Sequence, residues 1–492
     1  MKSGDEVRGA DVTEGDADSG TRWVVCSSCD GEGKVTKQPS KKAKLRHARA
    51  CEKAKNSFSA QMPPAPQPHV DRCATCSGSG LVKGESTCFP EANPDFPHVA
   101  IIGGGLGGLA LAVACRHRAI PFTIFERDEH FNQRSQGYGL TMQQASKALE
   151  GFGVSELPDG ITSTKHVVHT PDGEVIGEWG LRKWGRPDVK AAPSRQNIHI
   201  PRQALRRELL EALGGHEMVQ WSHRLVSFEE SEDHVELAFK VGNGDSAKSV
   251  QADIVVGADG IRSSVRQQLI GDDSMPLRYL DCIVILGICP LENIGEVATE
   301  LLDGETVFQT ANGHERIYMM PFSETSVMWQ LSFPLPEDEA KELNRQGPQA
   351  LKDEALRRCQ WHDPIPQILK GTDASMVTGY PAYDRDLLTS DLLPKDSSVT
   401  LLGDAAHPMS PFKGQGANQA LLDALSLVRK LYQAGASGEV GVKDALRDFE
   451  SEMLTRSAGK VKASAEAAKF LHTEVAICPG NMTRGAANNK ES

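Results

Sequence analysis

Several things this chain lacks narrow its class. It has no run of about 20 apolar residues, the length a membrane-spanning helix needs. The longest uncharged stretch, residues 99–115, is shorter and holds five glycines. Residues 1–20 are acidic and polar, with no basic start leading into an apolar core, so neither a secretory signal nor an Arg-rich transit peptide fits. The cytosol is the expected compartment. Positive charge is not in excess either: 54 Lys and Arg stand against 66 Asp and Glu, a net charge of −12, which gives nucleic acid no general reason to bind. The eleven cysteines, with no secretory route, argue for metal ligation or buried thiols over a disulfide framework. For the same reason the sequon at Asn481 reads as accidental.

What is present is globular. The 492 residues are 39% hydrophobic and 24% charged, a composition that builds roughly two to four packed units. Residues 1–95 stand apart. They carry few large apolar side chains, a basic stretch over 34–55 and the prolines 63, 64, 66 and 68, and cannot bury much by themselves. A solvated linker is the expectation for the basic stretch, with a protein partner for this segment as a further possibility.

At residue 98 the texture changes. The apolar Val99, Ala100, Ile101 and Ile102 run into Gly103-Gly104-Gly105-Leu106-Gly107-Gly108, followed by helix-compatible residues and a second apolar run over 122–125. This is GxGxxG between a strand and a helix. Gly103 permits the tight turn, Gly105 lets the backbone approach a pyrophosphate, and Gly108 lets helix and strand pack closely. The second strand ends in Glu126, 23 positions after Gly103, where an acid can hold ribose hydroxyls; Arg127 beside it suits an adenosine. The spacing predicts a dinucleotide site and leaves NAD or FAD open.

Two later segments carry a resemblance. Asp259, Gly260 and Arg262 follow the apolar residues 254–256 and look like the DG motif of flavoprotein monooxygenases. Gly403, Asp404, His407 and Pro408, then Gly414, Gly416, Ala417 and Asn418, look like their GD motif. With the glycine fingerprint, in this order, the chain resembles the p-hydroxybenzoate hydroxylase family of FAD monooxygenases over residues 98–471. The resemblance implies FAD as cofactor, with Asp404 on the ribityl hydroxyls and the helix opening near Gly416 aimed at the flavin pyrimidine. It also implies contacts from Arg134, in the stretch that includes Gly139, and from Arg202. Asp259 and Arg262 would serve the flavin and the nicotinamide donor. The competing readings are a helix cap for Asp404, a strand-to-helix link for Asp259 and solvated surface arginines for Arg134 and Arg202.

The implied chemistry is hydroxylation or epoxidation of a small organic, possibly aromatic, substrate by O2 and NAD(P)H through a flavin hydroperoxide. No second GxGxxG appears, so the NAD(P)H would dock transiently. Dehydrogenase or reductase chemistry on the same fold is the alternative; the Trp-x-Trp-x-Ile-Pro signature of flavin halogenases is absent. His407 receives no catalytic role. Residues 316–322 and 327–333 read as a hairpin whose aromatic and Met side chains line a pocket or pack a core.

The expected fold is α/β: a Rossmann-like FAD-binding domain (96–166, 200–274 and 382–430), an interleaved, mostly β substrate domain (167–199 and 275–381), a helical segment over 431–478 and a disordered tail, 479–492. Cys26, Cys29, Cys73 and Cys76 add a small N-terminal unit. Both pairs fit CxxCxGxG, and two such pairs complete a four-sulfur zinc site. The repeat resembles the zinc-binding region of DnaJ-type chaperones, with two units here instead of four. It leaves a second function class open, a zinc-dependent interaction protein on a flavin-binding scaffold.

Overall fold

The computed structural model describes residues 22–55, 62–85, 88–133, 138–180, 197–242, 244, 246–271, 274–295, 297, 299–437 and 441–482. Arg134 and most of the expected tail lie outside them. Five parallel strands form the central sheet, in the spatial order Val219–Gln220, Phe122–Phe125, Val99–Ile102, Ile254–Gly257, Val399–Leu401. Two of the three inner strands, Val99–Ile102 and Ile254–Gly257, are buried on every residue. That is why they read as unbroken apolar runs and not as alternation. The helix Leu106–Arg116 buries ten of its eleven residues. It packs against the long helix Gly416–Ser437 and against Arg202–Leu213.

A seven-stranded, mostly antiparallel sheet lies beside this layer. Its order is Val175–Trp179, Lys165–His169, Thr306–Ala311, Arg316–Ser323, Ser326–Pro334, Arg278–Pro290, Val377–Asp384. Side chains alternate across it with period two. Ile283, Ile285, Ile317, Met319, Trp329 and Leu331 face a core closed by the helices Pro348–Arg358 and Ile365–Gly371. Leu286, Tyr318, Met320, Met328 and Gln330 face the cavity described below. The expected hairpin thus does both things expected of it, one on each face.

The chain closes with the helix Val442–Phe470, packed on Gly416–Ser437. No helix among the described residues is long and apolar enough to cross a membrane.

At the N-terminus two small antiparallel ladders, Trp23–Val25 with Leu81–Lys83 and Lys34–Lys37 with His69–Arg72, bring the cysteine pairs together. The basic stretch between them corrects one expectation: residues Lys41–Lys55 form a helix, not a linker. Ser40 accepts the Ala43 N–H at its start, and Ala43, His47, Ala50, Cys51 and Ala54 make a half-buried stripe at helical spacing.

Candidate active site

The C-terminal ends of the central strands open on a cavity of about 1210 Å3, bounded on its far side by the seven-stranded sheet. Ordinary small-molecule pockets hold roughly 300–1,000 Å3, so cofactor and substrate fit together here. Gly103, Gly105, Leu106 and Gly108 lie at the turn from the strand Val99–Ile102 into the helix Leu106–Arg116. Gly103 takes φ +113°, and a Cβ on Gly108 would stand 1.9 Å from the Gly103 oxygen, so the helix reaches the strand only through glycine. A Cβ on Gly105 would meet nothing within 4 Å; that residue and Leu106 front open cavity at a helix N-terminus.

Glu126 is buried and turns to the loop. Its Oε2 accepts the Gly104 N–H at 2.7 Å and its Oε1 the Asp128 N–H at 2.9 Å. Arg127 is exposed and lies outside the cavity lining.

Asp404 stands after the strand Val399–Leu401, is exposed, and lines the cavity. Protein surrounds its carboxyl closely enough for desolvation to push the pKa up, against the His407 and Arg202 charges, which pull it down. Gly416 opens the helix beside it, a Cβ there falling 3.4 Å from Asp404 Oδ1, and Gly416 and Ala417 both line the cavity. Arg202 lines it too, its guanidinium over the Tyr138 ring at 5.7 Å. Gly139 fronts the cavity beside Met320.

Two predicted contact residues do other work. Asn418 is 1% exposed and outside the lining: its Oδ1 accepts the Gln143 and Ala145 N–H groups at 2.9 and 3.2 Å, while its Nδ2 donates to the Thr141 and Gly414 carbonyls. It ties the glycine loop to the strand Gly139–Met142. Asp259 caps the helix Ser264–Ile270, its Oδ2 accepting the Ser264 N–H at 2.7 Å; its Oδ1 is buried without a partner among the described residues. The strand-to-helix link expected as the competing reading is what the described geometry shows for it.

Sequence reasoning missed the groups that work from behind. Asp423 is buried, accepts the Gly403 N–H at 2.8 Å, and holds His407 Nε2 at 2.7 Å and Arg456 at 3.0 Å. His407 is outside the cavity lining. Arg206, one turn after Arg202, donates from Nε to the Gly104 carbonyl at 2.8 Å. Spacing of i, i+4 from Arg202 was the available signal; nothing local marks Asp423.

The far wall carries more charge. Gln309, Tyr318 and Gln330 face each other across three adjacent strands, and Arg316 stands two residues before Tyr318 on the same face. Arg316 is 6% exposed, donates from Nε to Gln309 at 2.9 Å, and faces no carboxylate among the described lining residues. Burial lowers its pKa to about 10, still charged at neutral pH, and raises the Tyr318 phenol to about 12. Arg202, Arg262, Arg316, Lys341, Lys413 and Lys460 line this cavity, and Asp404 is its sole acid among the described residues.

The four thiols of the N-terminal unit form a separate, buried cluster. Cys26 and Cys73 Sγ lie 3.9 Å apart, Cys29 and Cys76 3.7 Å, and all four within 4.8 Å of one another. The repeats mirror each other: the Cys26 N–H donates to Gly80 and the Cys73 N–H to Gly33, both at 2.9 Å. Gly33 and Gly80 also donate their N–H groups to Cys29 and Cys76 Sγ. A tetrahedral metal with bonds of about 2.3 Å to sulfur has S–S edges of about 3.8 Å, so the cluster has the size such a metal needs.

Residues 97–462 match the family model described as FAD binding domain. The chain is 28% identical over 388 residues to the FAD-dependent monooxygenase thnD of Trichoderma harzianum, covering 75% of this chain and 92% of that one. It is 28% identical over 366 residues to a 3-amino-4-hydroxybenzoate 2-monooxygenase of Streptomyces platensis, covering 73% and 85%. Klebsiella pneumoniae HpxO, solved with FAD and uric acid, shares the fold with TM-score 0.63 at 22% identity, over 76% of this chain and 89% of that one. With the glycine cradle, Asp404 and the cavity already in place, the chain belongs to the FAD binding domain family and is an FAD-dependent monooxygenase.

Proposed function

We propose that this enzyme uses NAD(P)H and O2 to hydroxylate or epoxidise a small aromatic substrate that carries an ionised oxygen, a carboxylate or a phenolate. The observation that carries this reading is Arg316, a buried guanidinium on the sheet face opposite the FAD cradle with no acid to meet it among the described residues. A charge so placed is costly unless a ligand supplies the counter-charge. Tyr318 stays protonated and can donate beside it. The Streptomyces relative's name supports the same chemistry, since its substrate is a hydroxybenzoate.

FAD, when bound, supplies the redox chemistry and the activation of O2. The chain's own residues hold and shield it. The Gly105 turn and the N-terminus of Leu106–Arg116 would meet the pyrophosphate, Asp404 the ribityl hydroxyls, and the N-terminus of Gly416–Ser437 the flavin pyrimidine. Arg134 and Arg202 keep their proposed place on the cofactor. Met320, Met328 and Leu286 exclude water from the sheet side. Arg262, exposed at the cavity edge, suits the phosphates of a transiently docked NAD(P)H.

The cysteine cluster we assign to one structural zinc ion, held by Cys26, Cys29, Cys73 and Cys76. All eleven cysteines stand outside disulfides and eight of them are buried, which suits a reducing compartment such as the cytosol.

Binding of benzoates and hydroxybenzoates, each paired with its neutral amide, to the FAD-loaded protein tests the substrate reading. Flavin absorbance changes report binding, and NAD(P)H oxidation reports productive binding. Acids are expected to bind and accelerate NAD(P)H oxidation, their amides roughly 10- to 100-fold less tightly, with Arg316→Met removing the difference. Acids and amides that bind alike would overturn it.

A further inference from the structure

Two arginines of the flavin domain point at the cysteine unit with too few partners. Arg118, 1% exposed, follows the helix Leu106–Arg116; it donates from Nη1 to the Ala114 carbonyl at 3.2 Å, and its Nε and Nη2 have no hydrogen-bond partner among the described residues. Arg429, in the helix Gly416–Ser437, donates from Nη2 to the Gly78 and Ser79 carbonyls at 3.2 and 3.0 Å, and its buried Nε has no partner among the described residues. Neither makes an ion pair among the described residues. Glu32 acts on both charges from a distance, and the two guanidiniums repel each other.

Both sit against the turns that carry the cysteines. A Cβ on Gly80 would lie 3.4 Å from Arg118 Nη2, one on Gly31 3.8 Å from Arg118 Nε, and one on Gly33 2.9 Å from Arg429 Nη2. The unit is also seated by shape. Trp23 packs so closely on Gly153 that a Cβ there would fall 2.4 Å from its ring, and Phe96, just beyond the unit, stacks on Tyr432 at 5.5 Å. The cysteine unit therefore does not hang free; it lies against the helices whose N-termini front the FAD cavity.

Four thiolates around one Zn2+ carry a net charge of −2, which equals the charge two guanidiniums need. We infer that Arg118 and Arg429 are the counter-charges of a zinc tetrathiolate, and that zinc so bound clamps the N-terminal unit onto the two FAD-holding helices. This rests on the zinc assignment above and changes its meaning: the unit is a buttress of the cofactor site, not an arm extended toward a partner. Both arginines act as positioning residues through charge. Outer groups of this kind commonly alter metal affinity 10- to 100-fold.

The test uses the full-length, FAD-loaded chain. Metal content is measured first, then zinc release to a chromogenic chelator in wild type, Arg429→Gln and Arg429→Lys, with FAD release followed in the same samples. The expected result is about one zinc per chain, release about 10-fold faster from Arg429→Gln, near-wild-type release from Arg429→Lys, and FAD lost as zinc leaves. Zinc present but released equally fast from all three proteins, or FAD retained after zinc is gone, would overturn the clamp. A wild-type chain without zinc would instead remove the metal assignment itself. Arg118→Lys serves as a second charge-conserving variant, expected to keep its zinc; its loss of zinc with the fold intact would count against charge as the cause.

Discussion

Asp404 is the residue on which the proposed FAD site turns, since it faces the cavity beside Gly416 and within reach of the Arg202 charge. Asp404→Ala is expected to weaken FAD binding by about 2 kcal/mol, ~30-fold, through lost charge-assisted hydrogen bonds. Fluorescence titration of the apoprotein measures this. Behind it, His407 and Asp423 form a buried pair. Burial opposes charge on the His407 ring, but the Asp423 and Asp404 charges outweigh it and its pKa is raised above 6.5; Asp423, despite burial, is held below 3.8 by His407 and Arg456. A raised histidine stabilises the fold below about pH 6.5, and that contribution is lost as pH rises through the raised value. A depressed carboxyl stabilises above about pH 4 and is lost as pH falls. The Tm difference between wild type and Asp423→Asn should therefore be widest near pH 5–6 and narrow toward pH 9, as thermal scans across that range would show. A difference that widens toward pH 9 would contradict the pairing. At this scale the sequence was legible where a motif marks a residue, as with Asp404 and Gly105. It was not legible for Asp423 and Arg206, which act on backbone groups 20 and 102 positions away. Asn418 and Asp259 lie within motifs, yet their described bonds go to backbone, because in a motif the contact residues and their supports look alike.

Among the elements, the strand, glycine turn and helix over 99–116 were the most legible, because an apolar strand buried on both faces, glycine at forced positions and a small-residue helix each leave a local trace. Two glycines separate fold from function there. Gly108→Ala drives a Cβ into the Gly103 carbonyl and is expected to lower stability by about 2–3 kcal/mol. Gly105→Ala, whose Cβ meets only open cavity at φ −79°, should fold with near-wild-type Tm yet lose most of its FAD, because the methyl takes the pyrophosphate's place. Thermal denaturation alongside the 450 nm absorbance of the purified variants distinguishes the two, and equal FAD content in Gly105→Ala and wild type would contradict the cradle. The helix Lys41–Lys55 was missed because its half-buried stripe consists of alanines, His47 and Cys51, too weakly apolar to stand out in a run of lysines and arginines. The hairpin Arg316–Pro334 was legible as a hairpin, but which face met the cavity depended on strands far away in sequence.

For the whole molecule, charge and function are partitioned. A chain of net charge −12 builds one cavity in which six cations face a single acid among the described residues. Composition alone hid this, because an average over 492 residues cannot report a local field. The two sheets make the reaction space between them: one contributes the cofactor cradle at its strand ends, the other a wall with Arg316, Tyr318 and the two buried glutamines. The central claim is that oxygen is inserted into an anionic aromatic bound in that space. It is tested most directly by turnover of the FAD-loaded enzyme with NAD(P)H and 18O2 on the best-binding aromatic acid, followed by mass spectrometry of the product. The account predicts one 18O atom per product molecule and none from labelled water. An oxidised product that has gained no oxygen from 18O2 would contradict it.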